Sequence, residues 1–263
     1  MRVSGFCDVY ERCFVYNHSS GVMGFFAHSE SEYINRSAWR NIVTIEFITN
    51  LIILLCSQIG FLYGVFTILI RERPLYLKMV VLAMACMMVG RIYVLLQYVT
   101  KGTVPDGFNV GMLGLLGCFL FLFSANYGMI DGLADDGDIE YLKYRIISFI
   151  APVVLIAIYG LVFLLRGVDT DMIAYAVVIL FIAIASRYHF KHIIFPDIEY
   201  GIVRSIRGYN VVALLLCVFT ALWIVFDLTG HTYMYLICGI LVSICSIIII
   251  PLLKKEATKW TTI

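Results

Sequence analysis

The chain has 263 residues, 62% of them hydrophobic and only 14% charged, with a mean hydropathy of +0.93. Water-soluble domains hold about 45–50% apolar and about 25% charged residues, so lipid must solvate most of this surface. A formal net charge of +1 excludes the basic footprint of a nucleic-acid binder, and no nucleic-acid partner is expected.

Residues 1–44 are polar and aromatic and are expected to form an extracytoplasmic N-terminal tail. Arg2, Asp8, Glu11 and Arg12 interrupt every apolar run at its start, so no cleavable signal peptide is expected. Within this tail, Cys7 and Cys13 would form a disulfide if the compartment is oxidising. Asn17-His18-Ser19 and Asn35-Arg36-Ser37 match the glycosylation acceptor pattern.

A membrane-spanning helix needs about 20 predominantly apolar residues. Seven segments meet that need, over residues 45–70, 75–99, 108–130, 146–165, 172–195, 208–226 and 232–253. The fifth spans only if it continues through Arg187 to Pro196. Pro152 and Pro251 are expected near helix ends, where proline is tolerated. Segments four, six and seven are apolar all round, unlike a water-facing helix with a polar stripe. The expected fold is therefore an all-α integral membrane protein, a seven-helix bundle over 45–253 with a short tail over 254–263. Cys56, Cys86, Cys118, Cys217, Cys238 and Cys245 fall inside apolar runs and read as small packing residues.

Lysines and arginines in loops set orientation. One side carries 12 of them near the membrane, including Arg71, Arg73, Lys78, Lys143, Arg145, Lys191, Lys254 and Lys255, and the other carries 4. The N-terminus is thus expected outside and the C-terminus in the cytoplasm of a cell membrane.

Arg91 is the one strong charge well inside a span. A charge there costs at least about 2.5 kcal/mol, so it should face the bundle and find a partner. Glu46 and Asn50 project from the antiparallel first helix at similar depth, with Gln58 further along. Arg91, Glu46, Asn50 and Gln58 are the candidate intramembrane polar site. It is a ligand or ion site open to the outside, an Arg91–Glu46 structural pair, or an Arg91 that snorkels to the headgroups.

Asp131, Asp135, Asp136 and Asp138 follow the third segment, and Asp197 and Glu199 lie in the next loop on the same side. Carboxylates gathered there are suited to hold Mg²⁺. Basic partners for them are available in Arg71, Arg73, Arg204 and Arg207. His189 and His192, three apart on one helix, are weak candidates for a metal. HExxH, rhomboid-type GxSG and presenilin-type GxGD are absent, as is a lysine in segment seven for a Schiff base.

The stretch Asn126–Asp138 resembles the NDxxDxxxD signature of UbiA-type prenyltransferases. Asp131 and Asp135 supply its DxxxD, with Tyr127 and Gly128 at the upstream positions. It is similar also to the DxxDGxxAR of CDP-alcohol phosphatidyltransferases. There Asp131-Gly132 fits the middle, while Gly128 replaces the first Asp. Either resemblance implies a Mg²⁺-dependent transferase acting on a lipid or prenyl diphosphate. Otherwise no cofactor is expected.

In topology alone the chain resembles bacterial seven-helix sensory modules. The leading expectation is accordingly a non-enzymatic sensor or scaffold in the bilayer. Its short cytoplasmic segments imply a membrane or cytoplasmic protein partner. A small-solute transporter is the alternative, and the transferase the next.

Overall fold

The computed structural model describes residues 45–71, 73–103, 106–132, 135, 137–196 and 202–261, all within the unit Val43–Ile263. Cys7, Cys13, Asn17 and Asn35, with the tail they belong to, lie outside the described residues. So do Asp136, Asp197 and Glu199. The structure is 88% helical, with no strand among the described residues. Among the described residues seven helices are long and apolar enough to cross a membrane, as the hydrophobic segments predict. They are α1 (Ile45–Leu69), α2 (Leu75–Lys101), α3 (Val110–Gly128), α4 (Ile139–Arg166), α5 (Thr170–Ile194), α6 (Arg207–Thr229) and α7 (Thr232–Thr258). We call the end of the bundle where α1 begins the upper end.

The helix count follows from hydrophobicity, but the helix ends follow from other physics. Helix α4 begins at Ile139 rather than Ile146. A 3₁₀ turn (Ile139–Tyr141) and a short helix (Leu142–Ile147) lead into the main helix Ile150–Arg166. Pro152 explains the break at Ser148 and Phe149, because its ring excludes the carbonyl four residues earlier. Helix α5 runs unbroken through Arg187 and stops at Phe195, which is extended ahead of Pro196. Helix α7 continues past Lys254 and Lys255, so Pro251 lies in its interior rather than near its end. Charged residues end an apolar run without ending a helix. For the same reason α6 passes Phe226 and takes in Asp227.

Helices in lipid gain little from hydrophobicity when they associate, so close packing of small residues must hold them together. The α2–α3 contact shows this. A Cβ on Gly90 would meet the Gly111 carbonyl and the Gly114 Cα, each at 2.9 Å. Side chains at these positions would wedge the two helices apart. The buried core along the middle of the bundle includes Met84, Phe119, Leu122, Ile182, Leu216 and Ile224. Helices α1 and α4 bury only 28% of their most apolar window, against 50% for α2, α6 and α7, which places them at the lipid-facing periphery. The six described cysteines are free.

Two helix starts are capped by side chains. Asn109 accepts from the Met112 N–H at α3, and Asp169 from the Met172 N–H at α5. Glu256 on α7 accepts from the Tyr209 N–H in the first turn of α6 at 2.8 Å. This satisfies a donor that lacks an intrahelical partner and ties the lower ends of α6 and α7.

Candidate functional site

Buried polar side chains gather in two networks, one in the upper third of the bundle and one at its lower end. The upper network centres on Arg91, only 4% exposed. Its Nη1 donates to Asn50 Oδ1 at 2.8 Å and its Nη2 to the Gly111 carbonyl at 3.2 Å. The guanidinium carbon lies 5.1 Å from the centroid of the Trp223 ring. Asn50 in turn donates to its own helix at the Glu46 carbonyl (2.9 Å) and to the Tyr235 hydroxyl (3.2 Å). Arg91 faces the bundle interior, as the cost of a charge in lipid requires.

The expected Arg91–Glu46 pair does not form. Glu46 sits one helical turn above Asn50 on α1, and Tyr98 lies two turns above Arg91 on α2. The antiparallel helices therefore pair in two rungs. Asn50 takes the guanidinium, and the Glu46 carboxylate accepts from the Tyr98 hydroxyl at 2.5 Å. A matching rung lies across the bundle, where the Asp227 carboxylate on α6 accepts from the Tyr175 hydroxyl of α5 at 2.9 Å. Gln58 takes no part, being exposed on the outside of α1.

Three charges thus share one region, and each is held by neutral groups. Among the described residues no ion pair joins Arg91 to Glu46 or Asp227, although Asp227, Tyr98, Tyr175 and Tyr235 all lie within electrostatic range of the guanidinium. Among the described residues of this network two buried donors lack an acceptor, Arg91 Nε and Trp223 Nε1. The floor of the network (Asn50, Arg91, Trp223, Tyr235) is buried, and its rim (Glu46, Tyr98, Tyr175, Asp227) is half-buried.

The lower network is built on the π-helical turn Asn126–Asp131, which carries α3 on beyond Gly128 as its last turn. Residues five apart in an α-helix point about 140° away from each other. The i→i+5 geometry of a π turn brings Asn126 and Asp131 to one face, toward α5. The Asn126 amide reaches Asn210 Oδ1 (2.8 Å) and His189 Nδ1 (2.7 Å), linking α3, α5 and α6 in a fully buried triad. One turn lower, Lys191 Nζ lies 2.6 Å from Asp131 Oδ1 and 2.5 Å from Asp135 Oδ2. Arg145 at the start of α4 bonds both oxygens of Asp135, with Nε to Oδ2 at 2.8 Å. His192 Nε2 is 3.2 Å from Asp131 Oδ1.

This geometry fixes the electrostatics. Burial works to raise the Asp131 carboxyl, but hydrogen bonds and charge from His192 and Lys191 outweigh it and hold the group below its ordinary value. For Asp135, burial is likewise outweighed by Arg145, Lys191 and the Gly137 N–H, which hold it well below the usual carboxylate range. The partners of this pair are Lys191 and Arg145, rather than the Arg71, Arg73, Arg204 and Arg207 that the loops offered. Asp138 is exposed in the turn before α4. His189 and His192 serve different partners. Among the described residues no group of three or more His, Cys, Asp or Glu is placed to hold a metal ion.

Compared with protein-family models, curated proteins and solved structures, the chain matches none, so its function has to be read from these networks. Sequence reasoning missed half of them. Asp227 was lost because a charge marked the end of the sixth apolar run. Tyr98, Tyr175, Tyr235 and Trp223 look like ordinary interfacial aromatics. Asn126 stood in the distinctive stretch before Asp138, but nothing in the sequence tied it to Asn210.

Proposed function

We propose that this protein is a cell-membrane sensor module. A ligand bound in the upper network would change the state of the lower one, and a partner protein would read that change at the cytoplasmic face. The observation that carries this reading is that α3 belongs to both networks. Its first turn supplies the Gly111 carbonyl to Arg91, and its last supplies Asn126 and Asp131 to α5 and α6. Between them α3 packs through Leu115, Cys118, Phe119 and Leu122, all buried and apolar. A rigid helix with a polar contact set at each end transmits small displacements, because packed interfaces switch between discrete arrangements rather than deform smoothly. The π turn at its lower end is a feature frequent at functional sites. The transferase reading has less support, since Asp131 and Asp135 are already engaged by Lys191 and Arg145.

The test places a single reporter cysteine at Ile139, which is 84% exposed at the lower end of α4, in a background without native cysteines. Arg91→Gln should change its labelling rate several-fold. Leu155→Ala, a core change outside both networks, should not do so even when it lowers stability as much. Equal effects from both variants, or no effect from either, would overturn the sensor reading.

A further inference from the structure

The upper network gathers charges and donors whose chemistry defines what they would bind. Among the described residues Arg91 Nε and Trp223 Nε1 are N–H donors without an acceptor, on side chains each 4% exposed and packed together with the guanidinium over the indole. Buried donors left unpaired are costly, more so when charged. Two of them beside one cation call for an anionic group with two acceptor oxygens, which is what a carboxylate offers to a guanidinium.

The rim carries the opposite need. Among the described residues Glu46 and Asp227 have only tyrosine hydroxyls as side-chain partners, at 2.5 and 2.9 Å, and no cation pairs with either. Two carboxylates at the mouth of a buried arginine would repel a simple anion, and the arginine would repel a simple cation. A group carrying both charges satisfies both ends. The Trp223 and Tyr235 rings pack against each other, 5.2 Å apart between centroids, and Trp223 also meets the guanidinium; this apolar and π surface suits a short hydrocarbon piece and an ammonium face.

We infer that the upper network is a binding site for a small zwitterion of the amino-acid class. Its carboxylate is received by Arg91 and Trp223, and its ammonium by Asp227 and Glu46 beneath the Tyr98 and Tyr175 hydroxyls. The inference rests on reading this network as a ligand site, and it names the ligand's chemistry.

The experiment is a thermal-shift titration of the full chain in nanodiscs with glycine, alanine, serine, γ-aminobutyrate and glycine betaine. Acetate and methylammonium at equal ionic strength serve as single-charge controls. At least one zwitterion should raise Tm by several degrees in a saturable way, since a ligand of the folded state alone stabilises it by mass action, while the single-charge controls do not. Trp223→Phe, which keeps a ring and removes one donor, should weaken binding about tenfold. Arg91→Gln and Asp227→Asn should each abolish the shift. No saturable shift from any of the five in the folded wild-type protein would overturn the inference. So would a shift that Trp223→Phe and Arg91→Gln leave intact. Zwitterion binding without a response at the Ile139 reporter would leave the inference standing and remove the sensor reading. The reporter responding to Arg91→Gln while no zwitterion binds would do the reverse.

Discussion

Replacing Lys191 by methionine probes the lower network at its centre. Lys191 is the only group that touches both Asp131 and Asp135 among the described residues, and its side chain is 6% exposed. The substitution removes two short charge-assisted hydrogen bonds, each worth about 1.5–3 kcal/mol. It also relieves the desolvation of a buried ammonium, which recovers part of that sum. Asp135 keeps Arg145, while Asp131 is left, among the described residues, with His192 as its side-chain partner. The net cost should be about 3 kcal/mol.

A pH signature accompanies it. Both carboxyls are held below their ordinary values in the folded protein. They therefore contribute stability that is fully present above the unfolded value of about 3.9 and is lost as pH falls through the depressed folded values. The assay is reversible unfolding in mixed micelles at pH 7 and then from about pH 4 down to about 2, the window below the unfolded value. Wild-type protein should lose stability steadily over that acid range, and Lys191→Met should show a flatter profile. A cost below about 0.5 kcal/mol, or an acid profile the same as wild type, would refute the account of this network.

Other consequences follow from the two-rung pairing, the glycine contact and the orientation. A double-mutant cycle between Arg91→Leu and Asn50→Leu should give a coupling of about 1 kcal/mol or more. The cycle between Arg91→Leu and Glu46→Leu should give about half that or less, because only the first pair is in contact. Gly114→Val should destabilise the bundle by more than about 2 kcal/mol and weaken the Arg91 contact to Gly111, because a Cβ there would meet the Cys86 carbonyl at 2.7 Å. Chemical shifts of a labelled Arg91 guanidinium would report the second effect. A cysteine at Val168, which is 68% exposed, should react with an impermeant reagent on intact cells. One at Ile139 should react only after permeabilisation, and the reverse pattern would invert the orientation.

What the sequence discloses here follows from which forces are local. Hydrophobic runs of spanning length fix the count of helices. Arg91 stands out because a charge in a span has to be accommodated, and Asn50 because it is polar at the same depth. The rest depends on geometry that a one-dimensional reading lacks. Glu46 looks like the obvious counter-ion until the rise of two antiparallel helices sets it level with Tyr98. Asp131 and Asp135 look like free ligands for Mg²⁺ until Lys191, beyond the next two helix ends, is seen to lie between them. The π turn that aims Asn126 and Asp131 the same way leaves no mark in composition, because it changes only the register of a helix already expected there.

The central claim is that the two networks share one conformational equilibrium through α3. Gly111 and Asp131 are separated by about 30 Å at 1.5 Å per residue, so direct contact between the networks is excluded. The most direct measurement is the stability coupling between Arg91→Gln and Lys191→Met in a double-mutant cycle. Independent sites so far apart add within about 0.3–0.5 kcal/mol. The account predicts a coupling of about 1 kcal/mol or more, carried by α3 and abolished when Gly114→Val is present in all four proteins. Additivity within about 0.3 kcal/mol, with all four proteins folded, would contradict it.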